Sequence, residues 1–192
     1  MEEMIKRVFM VGGLSESGKS SVGGYLDSKG IRRRKIVEFL KEVMEKENSG
    51  INFNQWQEQT IENRSVWLWK AFIKNFKSKI QKEKIKYCVL ESLYRPSLAQ
   101  ALRKAFGKKL VIIYVDIPLE IRLQRQMIRQ NLKILEEAKA YLLPRDNDKM
   151  EWGALQIKEI ADVIIDNSGT IDDLYRQVDE IIEQYCPELK QN

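Results

Sequence analysis

The sequence predicts an α/β fold in which a mostly parallel five-stranded sheet carries helices on both faces and a helical lid. Three observations carry that prediction. Short apolar runs of strand length alternate with longer segments of helical periodicity, the pattern of β-α units wound into a parallel sheet. The octapeptide Gly13-Leu14-Ser15-Glu16-Ser17-Gly18-Lys19-Ser20 follows directly on the apolar run Val8-Phe9-Met10-Val11. The chain has 192 residues, enough to bury one sheet between two helical layers and few enough to remain a single domain over 1–192.

The elements follow in order. Residues 7–12 read as a strand buried on both faces, because their apolar residues are continuous and not alternating. The octapeptide breaks that strand and a helix follows near 18–29. Residues 31–36 give a weak strand, since Arg32-Arg33-Arg34-Lys35 offers little to bury and suits a guarded sheet edge. Helical periodicity runs over 36–47 and over 54–82. The aromatics Trp56, Trp67, Trp69, Phe72 and Phe76 of the second segment are expected mostly in the core or between helices, with one or two left to wall an acceptor site. Strands at 85–91 and 109–115 flank a helix over 96–106. Pro118 suits the first position of a helix over 118–131. The stretch near 141–148, with Pro144, Arg145 and Asp146, is irregular and reads as the return arm of the lid or as a loop. A helix over 148–160 leads to the last strand, 162–166. The final helix, 170–185, has Thr170 as N-cap, one stripe of Ile171, Leu174, Val178, Ile181, Ile182 and Tyr185, and Pro187 beyond its end. The lid is expected at about 122–148 and acceptor-side helices at about 36–82.

Composition narrows the chemistry. The chain has no histidine and two cysteines, Cys88 and Cys186, at no metal-ligand spacing. Zinc chemistry, Ser-His-Asp hydrolysis and histidine acid-base catalysis are therefore set aside. A net charge of +5, with both signs spread along the chain, favours an anionic small molecule over nucleic acid. Without a run of about 20 apolar residues or a signal-like start, a cytoplasmic protein with no membrane partner is expected. The long aromatic helix over 54–82 is also a surface on which a homodimer can form.

The octapeptide fits G-x-x-x-x-G-K-[ST], a P-loop, and places the chain in the P-loop NTPase fold. Its glycines let successive N–H groups converge on a phosphate at the positive end of a helix. Nucleotide contacts are therefore expected from Gly13, Glu16, Ser17, Gly18, Lys19, Ser20 and Ser21, with Lys19 reaching the β- and γ-phosphates and Ser20 ligating Mg²⁺. In a parallel sheet, ligands bind beyond the carboxyl ends of the strands. Glu91, closing the run Lys86-Tyr87-Cys88-Val89-Leu90, is a general base, a holder of Mg²⁺-bound water, or a solvated charge. Arg95 and Arg34 are acceptor-binding candidates, each with an ordinary surface role as the alternative. Arg122, Arg125 and Arg129 share one helical face, either as lid charges over a polyphosphate or as a solvated basic face. Asn167, in Asp166-Asn167-Ser168-Gly169, lies where an adenine edge would be met, although any turn favours such residues.

On these residues the chain resembles P-loop kinases of the nucleoside-monophosphate-kinase type, and most of all the dephospho-CoA kinase family. The likeness is specific in the P-loop and in the C-terminal third, where Pro118-Leu119-Glu120, Arg122-Leu123-Gln124-Arg125, Arg129, Ala161 to Gly169 and Asp173-Leu174 follow the family pattern. The resemblance implies that Arg125 and Arg129 belong to a lid, that Asn167 to Gly169 border the adenine, and that ATP is the donor. The acceptor side departs from it. The family's aspartate after the second strand is replaced by Arg32 to Lys35, its His-Pro pair is missing, and Glu91-Ser92-Leu93-Tyr94-Arg95-Pro96 stands where related kinases read Asp-Gly-x-Pro-Arg.

The expected function is an ATP- and Mg²⁺-dependent phosphotransfer to a small acceptor, a nucleotide or related metabolite, with Lys19, Glu91, Arg125 and Arg129 as catalytic groups. The rival is a regulatory or partner-binding protein that uses nucleotide occupancy as a switch. The sequence has neither an N-K-x-D guanine motif nor a Walker-B Asp-Glu pair after the third strand.

Overall fold

The computed structural model describes residues 5–47 and 50–191. Five strands, β1 (Arg7–Gly12), β2 (Arg32–Lys35), β3 (Tyr87–Leu93), β4 (Leu110–Asp116) and β5 (Val163–Asp166), form one sheet in the order β2-β3-β1-β4-β5. Every neighbouring pair is parallel, so each connection crosses a face of the sheet and brings a helix with it.

Side chains alternate across the strands and build two cores. Val8, Met10, Cys88, Leu90, Ile112 and Tyr114 face one way. They pack against α2 (Ile36–Glu47), α3 (Phe53–Lys82) and α4 (Pro96–Phe106). Phe9, Val11, Val89, Val111 and Ile113 face the other way, against α1 (Lys19–Ser28) and α8 (Ile171–Tyr185). Trp56, Trp69, Phe72 and Phe76 are buried in the first core, whereas Trp67 is 40% exposed and lies under the Arg64 guanidinium. Thr170 caps α8 with a reciprocal bond to Asp173, as the stripe and cap predict.

The segment after β4 departs from the sequence-based expectation. α5 (Leu119–Gln130) begins with Pro118 as its N-cap. Residues 141–148 are not irregular: they lie inside α6 (Leu135–Glu151), which folds back on α5 and carries Pro144 in its interior. A helix-interior proline costs about 3 kcal/mol. Here Ala138 and Leu142 pack on Leu123 and Asp146 is tied to Arg122, contacts that propensity does not register. The expected helix over 148–160 is split at Gly153 (φ 104), and α7 (Ala154–Glu159) follows. A β-carbon at Gly153 would lie 2.5 Å from Pro96 Cδ, so close packing on α4 selects the glycine. Strand β3 runs to Leu93, past Glu91, with a register shift opposite Val11 and Gly12. Among the described residues no helix is long and apolar enough to cross a membrane.

Candidate nucleotide site and acceptor cleft

Strand β1 lies between β3 and β4, so the chain leaves the sheet at Gly12 into a crevice where connections run to both sides. Two glycines shape the loop there. Gly13 has φ 140, and a β-carbon on it would sit 2.6 Å from the Val115 carbonyl oxygen. Gly18 has φ 97, and its β-carbon would sit 2.1 Å from Asn167 Nδ2. Helix α1 starts at the next residue, with no acidic residue in its first turn. Its free N–H groups and positive end thus face the loop.

Glu16, Ser17, Gly18, Arg125, Arg129 and Asn167 are among the residues lining a cavity of about 430 Å³ beside this loop. Asn167 donates from Nδ2 to the Ser17 carbonyl at 2.7 Å, and its own carbonyl accepts from Arg125 Nη2 at 2.8 Å. One N–H of its side-chain amide thus holds the loop. Arg129 Nη1 reaches Glu16 Oε1 at 2.6 Å. Lys19 Nζ donates to the Leu14 carbonyl and to Ser17 Oγ. Burial, and next the charge of Lys149, push its pKa down to about 7.

A second set of residues fastens α6 to the same loop. Asp146 is 2% exposed and accepts from the Ser15 backbone N–H at 2.8 Å. Arg122 donates to Asp146 Oδ2 and to the Ser15 carbonyl, and Lys149 donates to Ser15 Oγ. The expectation that Arg122 shares an outward face with Arg125 and Arg129 is therefore corrected. Arg122 is buried and neutralised by Asp146, and only the other two line the cavity.

Glu91 is also buried, at 2% exposure, and is not a solvated strand end. Its oxygens face Arg33, with Nε 2.8 Å from Oε1 and Nη2 2.9 Å from Oε2. It is directed against Gly23 of α1, one helical turn beyond Ser20. Arg34 points elsewhere and pairs with Glu83. Successive strand residues face opposite ways, which is why Arg33 and not Arg34 shares a face with Glu91.

On the α2–α4 side a second cavity, about 180 Å³, is lined by Ile36, Trp69, Tyr94, Arg95, Leu98 and Trp152 among others. The Arg95 guanidinium lies 5.0 Å from the Trp152 ring centroid. Its Nε is buried without a hydrogen-bond partner, and burial lowers the pKa of the group. Tyr94, in the wall of this cavity, also carries Lys19 Nζ 5.8 Å and Lys149 Nζ 5.5 Å from its ring centroid. Its ring is therefore the boundary between the P-loop and the second cavity.

Sequence reasoning did not single out Tyr94, Lys149 or Trp152 for this site, and it read Arg33 only as one of the basic residues 32–35 and Asp146 only as part of the lid's return arm or a loop. The signal for Asp146 and Lys149 was their three-residue spacing, which places both on one face once 135–151 is a helix.

No protein-family profile matches the chain. A UPF0200/UPF0201 protein of Archaeoglobus fulgidus is 28% identical over 97 residues, 49% of this chain and 29% of that protein. A UPF0200 protein of Methanosarcina acetivorans is 29% identical over 93 residues, 48% of each. The matched region thus spans about half or less of these relatives. Among solved structures, TT1252 from Thermus thermophilus superposes with a TM-score of 0.62 at 18% identity, covering 94% of this chain and 98% of that one. A gluconokinase from Sinorhizobium meliloti 1021 gives 0.56 at 18% identity, covering 97% of both chains. The dephospho-CoA kinase from Campylobacter jejuni gives 0.53 at 20% identity, covering 94% and 98%. The chain has the P-loop kinase fold. Dephospho-CoA kinase is one of several neighbours of this fold and does not stand apart from them, so the expected special likeness to that family is not supported beyond the shared architecture.

Among the described residues no group of three or more acidic, cysteine or histidine side chains is placed to hold a metal. Ser20, in the first turn of α1 beside the cavity, and Glu91, against the same helix one turn on, are hard oxygen donors of the kind that suit Mg²⁺.

Proposed function

We propose that this protein is an ATP- and Mg²⁺-dependent kinase that moves the γ-phosphoryl group to a small anionic acceptor, a nucleotide or a related metabolite. One observation carries the proposal: the P-loop and the second cavity meet at one aromatic ring, Tyr94, with Lys19 against it. A donor phosphate on the loop and an acceptor in the cleft would face each other across that ring.

Each residue then has a definite task. The loop N–H groups and the α1 terminus hold the β-phosphate, and Lys19 leaves its carbonyl and hydroxyl partners to bridge the β- and γ-oxygens. Ser20 would hold Mg²⁺ through its hydroxyl, and Glu91 of β3, which lies against α1 one turn beyond Ser20, would hold it through water. The bound cation supplies Lewis-acid neutralisation of charge on the phosphate oxygens. Arg125 and Arg129 exchange their contacts with Asn167 and Glu16 for the transferring group as the α5–α6 hairpin closes. Arg95 receives an anionic group of the acceptor, which supplies the partner its buried Nε lacks. The bond from the γ-phosphorus to the ADP oxygen breaks as the bond to the acceptor oxygen forms, and the acceptor's proton leaves to solvent.

The test is phosphorus NMR of the protein with Mg²⁺-ATP and pooled small anionic acceptors, beside Lys19→Ala. A new phosphoester signal matched by ADP, and absent with the variant, is the expected result. ATP that stays intact while raising the melting temperature would replace phosphotransfer with nucleotide sensing.

A further inference from the structure

Lys149 is a charge for which the expected kinase machinery has no task. It extends from the last turn of α6, donates to the hydroxyl of Ser15 inside the P-loop, and lies 5.5 Å from the centroid of the ring that also carries Lys19. Two ammonium groups are thus held near one another beside a largely buried aromatic. After burial, Lys149 is the strongest influence lowering the pKa of Lys19. Burial also lowers the pKa of Lys149 itself. Asp146 favours the charged form of both, but its carboxylate is already shared by Arg122 and the Ser15 N–H. Like charges brought together out of water are unfavourable unless an anion joins them. Both Nζ atoms lie against the Tyr94 ring, and the acceptor cavity opens on that same ring.

We propose that Lys149 is a catalytic residue that binds the γ-phosphoryl group from the acceptor side, opposite Lys19, and follows it across Tyr94. This rests on the kinase reading above and adds to it a contact made by α6, outside the P-loop and the α5 arginines. Lys19 stays with the β- and γ-oxygens of the donor. Lys149 has no β-phosphate to hold, so its contribution depends on the third phosphate being present.

The discriminating measurement is calorimetric binding of Mg²⁺-ADP and Mg²⁺-AMP-PNP to the native protein, Lys149→Met and Lys149→Arg. A charge-assisted bond to the γ-phosphate predicts a loss of about 10- to 100-fold for AMP-PNP in Lys149→Met. ADP affinity should stay within about twofold, and Lys149→Arg should recover most of the loss. Equal losses for both nucleotides would mean that Lys149 only braces Ser15, and no loss for either would mean that it touches neither; both results overturn the proposal. A second measurement needs no variant. Acetylation of the native protein, read by mass spectrometry, should show Lys149 protected by AMP-PNP and not by ADP, and equal modification with the two would overturn the assignment. A native protein that binds neither nucleotide ends the kinase reading and this contact with it. Selective loss of AMP-PNP affinity without phosphoester formation from any acceptor would keep the contact and remove the phosphotransfer.

Discussion

The carboxylate of Glu91 occupies the space that a β-carbon on Gly23 would need: Oε1 lies 1.7 Å from where that carbon would be. Glycine in a helix interior costs about 0.5–1 kcal/mol relative to alanine, so α1 gives up local stability to admit this side chain. Gly23→Ala is expected to destabilise the protein by about 1–3 kcal/mol despite alanine's better helix propensity, because a carboxylate pinned by Arg33 has nowhere to move. Gly24→Ala is the control. Its β-carbon would find its nearest neighbour, Arg33 Nη1, at 3.8 Å, so a gain of up to about 1 kcal/mol is expected. Urea denaturation of the two variants checks both signs.

Arg122 and Asp146 join α5, α6 and the P-loop through one buried ion pair, with side-chain exposures of 7% and 3%. Removing one partner of such a pair leaves an uncompensated charge, typically at a cost of 3–5 kcal/mol. Asp146→Leu alone should therefore lower stability by about that amount and also free the Ser15 N–H. Joint replacement, Arg122→Met with Asp146→Leu, should recover much of the stability, because two well-packed apolar groups avoid the desolvation of both ions. The cycle is read by thermal unfolding of the four proteins. Additive losses would show that the pair is not coupled.

The acceptor cleft gives a kinetic prediction. Arg95 has a buried, unpartnered Nε and a guanidinium resting on Trp152. If it grips an anionic part of the acceptor in the ground state, Arg95→Gln should raise the acceptor KM by about 10- to 100-fold with a smaller change in kcat. Steady-state kinetics with the acceptor found by NMR decides this. A fall in kcat at constant KM would move Arg95 from binding to the chemical step.

The sheet and the loop were legible because their signals are local. Continuous apolar runs mark strands buried on both faces, and Gly13, Gly18, Lys19 and Ser20 act through backbone geometry that their own spacing imposes. The cap at Thr170 is local too. What stayed hidden depends on distant partners. Arg33, Arg34 and Lys35 look equivalent in sequence, and only the strand pairing of 32–35 with 88–91 sends Arg33 to Glu91 and Arg34 to Glu83. The arginines of α5 show a common helical face, but burial of Asp146 from α6 draws Arg122 inward. Pro144 signals a break, and the packing of α6 on Leu123 overrides it. Trp152 and Arg95 are 57 residues apart along the chain, and no periodicity announces that they stack.

Lys19 makes nucleotide binding a proton-linked reaction. In the free protein burial and the neighbouring Lys149 bring its pKa down to about 7, whereas phosphate oxygens stabilise the ammonium and raise it in the complex. Below about pH 7 the group is protonated in both states and adds no pH dependence. Above that point the free protein holds fewer protons than the complex, so each unit of rising pH costs about tenfold in affinity until the pKa of the complex is reached. At pH 8, where about nine-tenths of the free lysine is neutral, binding should take up close to one proton. Calorimetry of Mg²⁺-ADP binding in two buffers of different ionisation enthalpy measures that number directly. Uptake near zero at pH 8 would mean that Lys19 is already charged in the free protein, and the tucked contacts to Leu14 and Ser17 would then be those of an ammonium held ready for phosphate.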